Sequence, residues 1–172
     1  MTNIFLIGDV HGMSIELQAL MDKLSPRSDD QVIFVGDLLD KGDDSVGVVS
    51  MVRDMAENAA FEVILVEGNH EDKHRRFRRN KVLRPKVAAE QAARSLELTE
   101  ITEKLSANDI AFLDKAIPFF RISKHNILVV HGGIPGDMIR FPDSIEEVER
   151  LTSKQRKRLL LIMRTRYLRP NG

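Results

Sequence analysis

Gln31-Val32-Ile33-Phe34-Val35-Gly36-Asp37-Leu38-Leu39-Asp40-Lys41-Gly42 runs from a strand-like segment straight into a loop of glycine and aspartate. A short apolar run stopped by glycine reads as a buried strand feeding a loop. The same transition occurs twice more. Ile4-Phe5-Leu6-Ile7 is stopped by Gly8-Asp9, and Phe61 to Val66 ends in Glu67-Gly68-Asn69-His70. Between these runs lie two helical patterns. Ser14 to Leu24 carries Ile15, Leu17, Leu20, Met21 and Leu24 at helical spacing, with Ser25-Pro26 beyond its end. Asp44 to Asn58 places Val48, Val49, Val52, Met55 and Ala56 on one side. Such alternation predicts parallel strands joined by helical crossovers, with functional groups at the carboxyl ends of the strands.

Downstream, Glu71 to Arg84 is polar and basic, and Pro85 marks a break. Val87 to Leu105 reads as one helix, and Ser106 with Asp109 reads as the start of another running to Lys115. Phe119 to Ile122 and Asn126 to Val130 are strand candidates, the second ending in His131-Gly132-Gly133. Residues 135–142 read as loop, Ser144 with Glu147 as a capping box, and Lys154 to Met163 as helix. No repeat or linker divides the chain, so a single domain over residues 1–172 is expected.

Composition narrows the class. With 30% charged and 42% hydrophobic residues, and a mean hydropathy of -0.22, the chain suits a folded globular protein and not a disordered or fibrous one. No apolar run approaches the roughly 18 residues of a membrane helix. Met1-Thr2-Asn3-Ile4 lacks the basic start and long apolar stretch of a secretory signal, which points to a cytoplasmic protein with no membrane partner. The absence of cysteine excludes disulfides, thiolate metal sites and cysteine nucleophiles. The net charge of zero conceals an asymmetry. Residues 1–72 carry 15 Asp+Glu against 4 Lys+Arg, a net of -11, and residues 73–172 carry 22 Lys+Arg against 11 Asp+Glu, a net of +11. An acidic half suits cations and a basic half suits an anionic ligand, or the halves complement each other within one domain.

The loops after the strands share a chemistry. Gly8-Asp9-Val10-His11-Gly12, Gly36-Asp37-Leu38-Leu39-Asp40-Lys41-Gly42, Gly68-Asn69-His70-Glu71 and His131-Gly132-Gly133 each combine glycine with oxygen or nitrogen donors. Asp, Asn and His are the ligand set of a divalent ion such as Mn, Fe or Zn. Asp9 and His11, two apart, point the same way on an extended strand tip.

In this order the first three motifs resemble the signature of calcineurin-like metallophosphoesterases, and His131-Gly132-Gly133-Ile134-Pro135 is similar to a further motif of that superfamily. The likeness runs from residue 4 to about 166. It points to the phosphoprotein-phosphatase branch, with phage and bacterial Ser/Thr phosphatases, symmetrical diadenosine tetraphosphate hydrolases and the phosphatase modules of bacterial polynucleotide kinase-phosphatases. The resemblance implies an α/β fold with a central β-sandwich flanked by helices. It implies two divalent metal ions, manganese first and Fe, Zn or Mg as alternatives, with Asp9 and His11 on the first metal, Asp37 bridging, and Asn69 and His131 on the second. Two such ions neutralise an anionic ester and acidify a bridging water at about 3.5–4 Å separation. The implied reaction is hydrolysis of a phosphate monoester by metal-bound hydroxide without a phosphoenzyme. His70 would be a general acid and not a ligand, and Asp40 its orienting partner. The substrate is expected to be a phosphoprotein, a dinucleoside polyphosphate or a nucleic-acid end. The rival reading is a phosphate- or nucleotide-binding regulatory module of the same fold with little turnover.

Two departures from the family pattern bear on these expectations. Lys41 stands where the family has a phosphate-contacting Arg, keeping the charge and losing the bidentate fork. The family also has a further metal-ligating His in a Gly-His motif, whereas all five histidines here lie at or before His131. The second metal would then hold only Asp37, Asn69 and His131, and a C-terminal segment bearing the missing ligand is expected beyond Gly172. Arg164, in Met163-Arg164-Thr165-Arg166, is similar in placement to a phosphate-contacting arginine of the phage-type phosphatases. The segment 73–86 holds 8 cations in 14 residues, which reads either as a funnel for nucleic acid or a phosphopeptide or as a solvated helix face. His74 is expected at a solvated surface and His125 in a structural role.

Overall fold

Strands β1 (Ile4–Ile7), β2 (Gln31–Phe34) and β3 (Glu62–Leu65) pair in parallel in the order β1-β2-β3. Their register aligns Phe5 with Val32 and Val63, and Ile7 with Phe34 and Leu65. Because successive side chains alternate faces, these residues share one side of the sheet. Helices α1 (Ser14–Leu24) and α2 (Ser45–Asn58) cover that side, bringing Leu17, Met21, Val48, Val49 and Val52 into one core with Val32 and Phe34. The other side carries Ile4, Ile33 and Ile64. It packs on a second, antiparallel sheet of β4 (Phe120–Ile122) and β5 (Ile127–Val129) through Ile122 and Val129. The result is a sheet-on-sheet sandwich with helices outside it, the α/β architecture expected from the motifs. This computed structural model describes residues 2–134, 142, 144–152 and 155.

The caps explain where the helices begin and end. Asp44 accepts the Gly47 N–H at 2.8 Å and starts α2. Ser25 ends α1 in a left-handed conformation, its N–H on the Met21 carbonyl. The polar stretch after the third strand is itself helical, as α3 (Asn69–Leu83). It has no long apolar stripe to betray it, and only Phe77 reaches a core. The expected single helix over 87–105 is two helices, α4 (Pro85–Arg94) and α5 (Leu96–Lys104). The break comes from Ser95, whose hydroxyl accepts the Leu98 N–H at 3.2 Å and so starts a new helix. Ser106 and Asp109 form the expected capping box at the start of α6 (Ala107–Leu113), and Ser144 caps α7 (Ile145–Glu149). The expected helix over 154–163 lies outside the described residues except at residue 155, and the expected loop over 135–142 except at residue 142.

Candidate active site

The loops leaving β1, β2 and β3 are bound to one another. The Val10 and His11 N–H groups both donate to the Asp37 carbonyl, at 3.0 and 2.9 Å, and the Gly12 N–H donates to Leu38 at 2.9 Å. Glu71, one turn into α3, closes the other side. Its Oε2 accepts the Asp37 N–H at 2.8 Å and the Gly68 N–H at 2.9 Å, and its Oε1 accepts the Leu38 N–H at 2.8 Å. Burial pushes the Glu71 carboxyl above its ordinary range, opposed by the N–H groups of Asp37 and Leu38. Gly36 lets the loops meet: with φ at 87°, a Cβ there would stand 2.5 Å from the Gly68 nitrogen.

Asp37 is the centre of the cluster. Its Oδ2 lies 3.5 Å from His11 Nε2 and 3.8 Å from His70 Nε2, and its Oδ1 lies 3.4 Å from His131 Nε2. Asp9 Oδ2 is 3.6 Å from His11 Nε2, and Asn69 Oδ1 is 3.2 Å from His131 Nε2. Among the described residues two potential metal-binding groups result, His11–Asp37–His70 and Asp9–Asp37–His131, sharing Asp37. His11 Nδ1 donates to the Leu39 carbonyl at 2.8 Å and His131 Nδ1 to the Val35 carbonyl at 2.7 Å. Those bonds turn both Nε2 atoms toward Asp37, which is how ligating imidazoles are normally oriented. Burial raises the Asp37 carboxyl, but the His131 hydrogen bond and the His70 backbone N–H outweigh it and hold the group below its ordinary range. Burial lowers the His131 ring, and Asp37 overcomes this and raises it. Such a crowd of acceptors drawing in a proton suits a hard or borderline cation. Lys41 underlines the point, with its Nζ donating to His11 Nε2 at 2.7 Å. The expected phosphate-contacting lysine therefore sits against a candidate ligand.

Asp40 gathers a second network. Its Oδ2 accepts from His70 Nδ1 at 2.5 Å and from Lys73 Nζ at 2.8 Å, and its Oδ1 accepts from His74 Nε2 at 2.8 Å. Burial raises this carboxyl, yet the His70, His74 and Lys73 donors hold it far below the usual carboxylate range. The expectation for His74 is corrected: its side chain is 0% exposed, and Nδ1 bonds Thr102 Oγ1 of α5 at 2.8 Å. Glu71 and Lys73 fall within the donor motif and the basic segment read from the sequence, but their bonds to Asp37 and Asp40, like the role of Thr102, were not expected. The signal for His74 was its spacing of four from His70, which places both on one helical face once α3 is known to start at Asn69.

Backbone strain concentrates here. His11, Asp37, Asp40 and Lys41 have φ of 46°, 55°, 68° and 71°, each costing about 1–3 kcal/mol for a residue with a side chain. The basic run is largely engaged internally, with Arg75 on Glu67, Arg76 on Asp72, Arg78 on Asp114 and Lys81 near Glu103. Burial pushes the Glu67 carboxyl up to about 7 despite Arg75. Arg164 lies outside the described residues.

The calcineurin-like phosphoesterase family model matches residues 2–168. A bis(5'-nucleosyl)-tetraphosphatase PrpE [asymmetrical] from Oceanobacillus iheyensis is 30% identical over 146 residues, covering 78% of this chain and 57% of the relative. A symmetrical bis(5'-nucleosyl)-tetraphosphatase from Wigglesworthia glossinidia brevipalpis is 27% identical over 175 residues, 97% of this chain and 58% of the relative. The chain thus spans under three fifths of these relatives. Among solved structures, a protein serine/threonine phosphatase from Saccharomyces cerevisiae is similar at a TM-score of 0.51 and 20% identity, covering 81% of this chain and 43% of that one. A cold-active protein-tyrosine phosphatase of a Shewanella species aligns at 0.51 and 18%, covering 94% and 50%. These two speak to the fold alone. The ordered loop motifs, the two-sheet architecture and the match along nearly the whole chain lead to one conclusion: this chain belongs to the calcineurin-like phosphoesterase family.

Proposed function

We propose that this chain carries the catalytic centre of a metal-dependent phosphoric ester hydrolase. The observation that carries the reading is the Asp37 carboxylate, turned with one oxygen toward His11 and the other toward His131. Asp9 and His11 would hold one divalent cation, Asn69 and His131 a second, and Asp37 both. Such ions, when bound, neutralise phosphoryl charge and acidify water, and manganese suits this oxygen and imidazole set. His70 carries the proton for the departing oxygen on Nε2, because its Nδ1 is held by Asp40. The ionised Asp40 balances the charge of the protonated ring and fixes its orientation. Lys41 supplies a mobile positive charge beside the site and draws the anionic ester inward. The names of the two tetraphosphatase relatives favour a dinucleoside polyphosphate as substrate, ahead of a phosphoprotein or a nucleic-acid end.

The test is turnover of p-nitrophenyl phosphate and of diadenosine tetraphosphate with added manganese. Asp37→Asn is expected to lose both turnover and calorimetric metal binding. His70→Ala is expected to keep the metal and lose about 10²–10⁴-fold in kcat. Turnover that survives chelation or Asp37→Asn sinks the reading, and phosphate binding without turnover points to the regulatory module instead.

A further inference from the structure

We propose that His74, backed by Thr102, is a positioning residue that sets the rotation of the Asp40 carboxylate and thereby the aim of the His70 ring. This rests on the reading of His70 as a general acid. Asp40 sits on left-handed backbone at φ 68°, and its main-chain N–H is taken by Ser45 Oγ at 2.9 Å. Those features fix where the residue lies but not how its carboxylate is turned. His70 and Lys73 both approach Oδ2. Lys73 is partly exposed on a flexible stem and constrains rotation weakly. His74 alone among the described residues is seen to bond Oδ1, and two anchored oxygens fix a planar group where one does not.

The chemistry of His74 also differs from that of ordinary core packing. A fully buried imidazole carries a cost unless both nitrogens are used. Here Nε2 meets Asp40, and Nδ1 meets the buried Thr102 hydroxyl. With Nε2–H donating to the carboxylate, which only accepts, Nδ1 is left to accept the Thr102 proton, so Asp40 sets the tautomer and the hydroxyl satisfies the ring's other nitrogen. Helix α5 holds the same turn a second time, because Glu97 Oε1 accepts the Lys41 N–H at 2.7 Å. The α5 helix, remote in sequence from the donor loops, is thereby connected to the proton-transfer pair.

The experiment uses the full chain with manganese and compares p-nitrophenyl phosphate with phenyl phosphate, whose poorer leaving group depends more on the acid. His74→Phe keeps the ring and removes the donor. It is expected to lower kcat for phenyl phosphate by about 10–100-fold, the usual effect of losing a supporting hydrogen bond, with a smaller loss for p-nitrophenyl phosphate and KM unchanged. His74→Gln, whose amide nitrogen reaches the same point, recovers most of the loss. In metal-free ¹⁵N-histidine-labelled protein the downfield His70 Nδ1 proton signal disappears in His74→Phe and persists in His74→Gln, a readout independent of turnover. Equal losses on both esters, or an undisturbed His70 proton signal in folded His74→Phe, would overturn the proposal. Should His74→Phe fail to fold, Thr102→Val, which keeps shape and removes the hydroxyl, carries the same ester comparison and the same proton signal. The parent reading fails separately, when His70→Ala itself shows no extra loss on phenyl phosphate.

Discussion

Glu71 Oε2 accepts the backbone N–H of Asp37 at 2.8 Å, and that oxygen also takes the Gly68 N–H at 2.9 Å. One buried carboxylate therefore ties the second donor loop to the third. Glu71→Gln exchanges one acceptor for an N–H donor facing another N–H. Leaving a buried donor unmatched costs about 1–3 kcal/mol, so a lowered melting temperature is expected. Calorimetry should also show weaker manganese binding, because Asp37 loses its anchor. A variant as stable and as tight-binding as the parent contradicts the clamp.

Lys41 Nζ occupies the space in front of His11 Nε2 at 2.7 Å, and a cation entering there has to displace it. Lys41→Met is expected to bind manganese about tenfold more tightly, near the low end of the roughly 1.5–3 kcal/mol of a hydrogen bond to a charged group. Its KM for phosphate esters should rise at the same time. Calorimetry and steady-state kinetics on one preparation test both directions.

Acid stability follows from Asp40. Its carboxyl lies below the unfolded value of 3.8 because His70, His74 and Lys73 outweigh burial. A depressed acid contributes stability above its unfolded pKa and loses it as pH falls through the folded one. Denaturant melts should therefore weaken as pH drops below about 4, and Asp40→Asn should flatten that limb of the profile. An unchanged limb would remove Asp40 from the account.

The basic segment predicts a weak nucleic-acid interaction. Lys73, Arg75, Arg76, Arg78 and Lys81 already face carboxylates of this chain, which leaves Arg79, Arg84 and Lys86 of the run without one among the described residues. Single-stranded RNA should then show a log–log salt slope no steeper than about -2. A slope much steeper would mean that the internal pairs open to the ligand.

Much of this molecule was legible in sequence, for identifiable reasons. The apolar runs at Ile4, Gln31 and Phe61 end in glycine and donor residues, so strand positions and loop chemistry were read together. Helix α1 matched residue for residue because its apolar spacing and Ser25-Pro26 stop agree. Helix α3 was harder. Its arginines meet carboxylates on Glu67 and Asp114 and on Asp72 of the same helix, and no apolar stripe records an electrostatic contact. The break at Ser95 escaped because apolar periodicity continues across it, whereas a hydroxyl capping Leu98 is a single local bond. His74 was misread for a related reason. A histidine four places from another says nothing about burial until Thr102 and Asp40 are brought to either side of it by the fold.

The left-handed backbone at His11, Asp37, Asp40 and Lys41 has a kinetic corollary. Folding energy has already bent these peptides into shape, so a visiting ion would find a rigid socket and not a floppy tether. Loading should then be paced by the swing of a lysine side chain and the shedding of hydration water, with amide exchange in these turns nearly the same before and after the ion arrives.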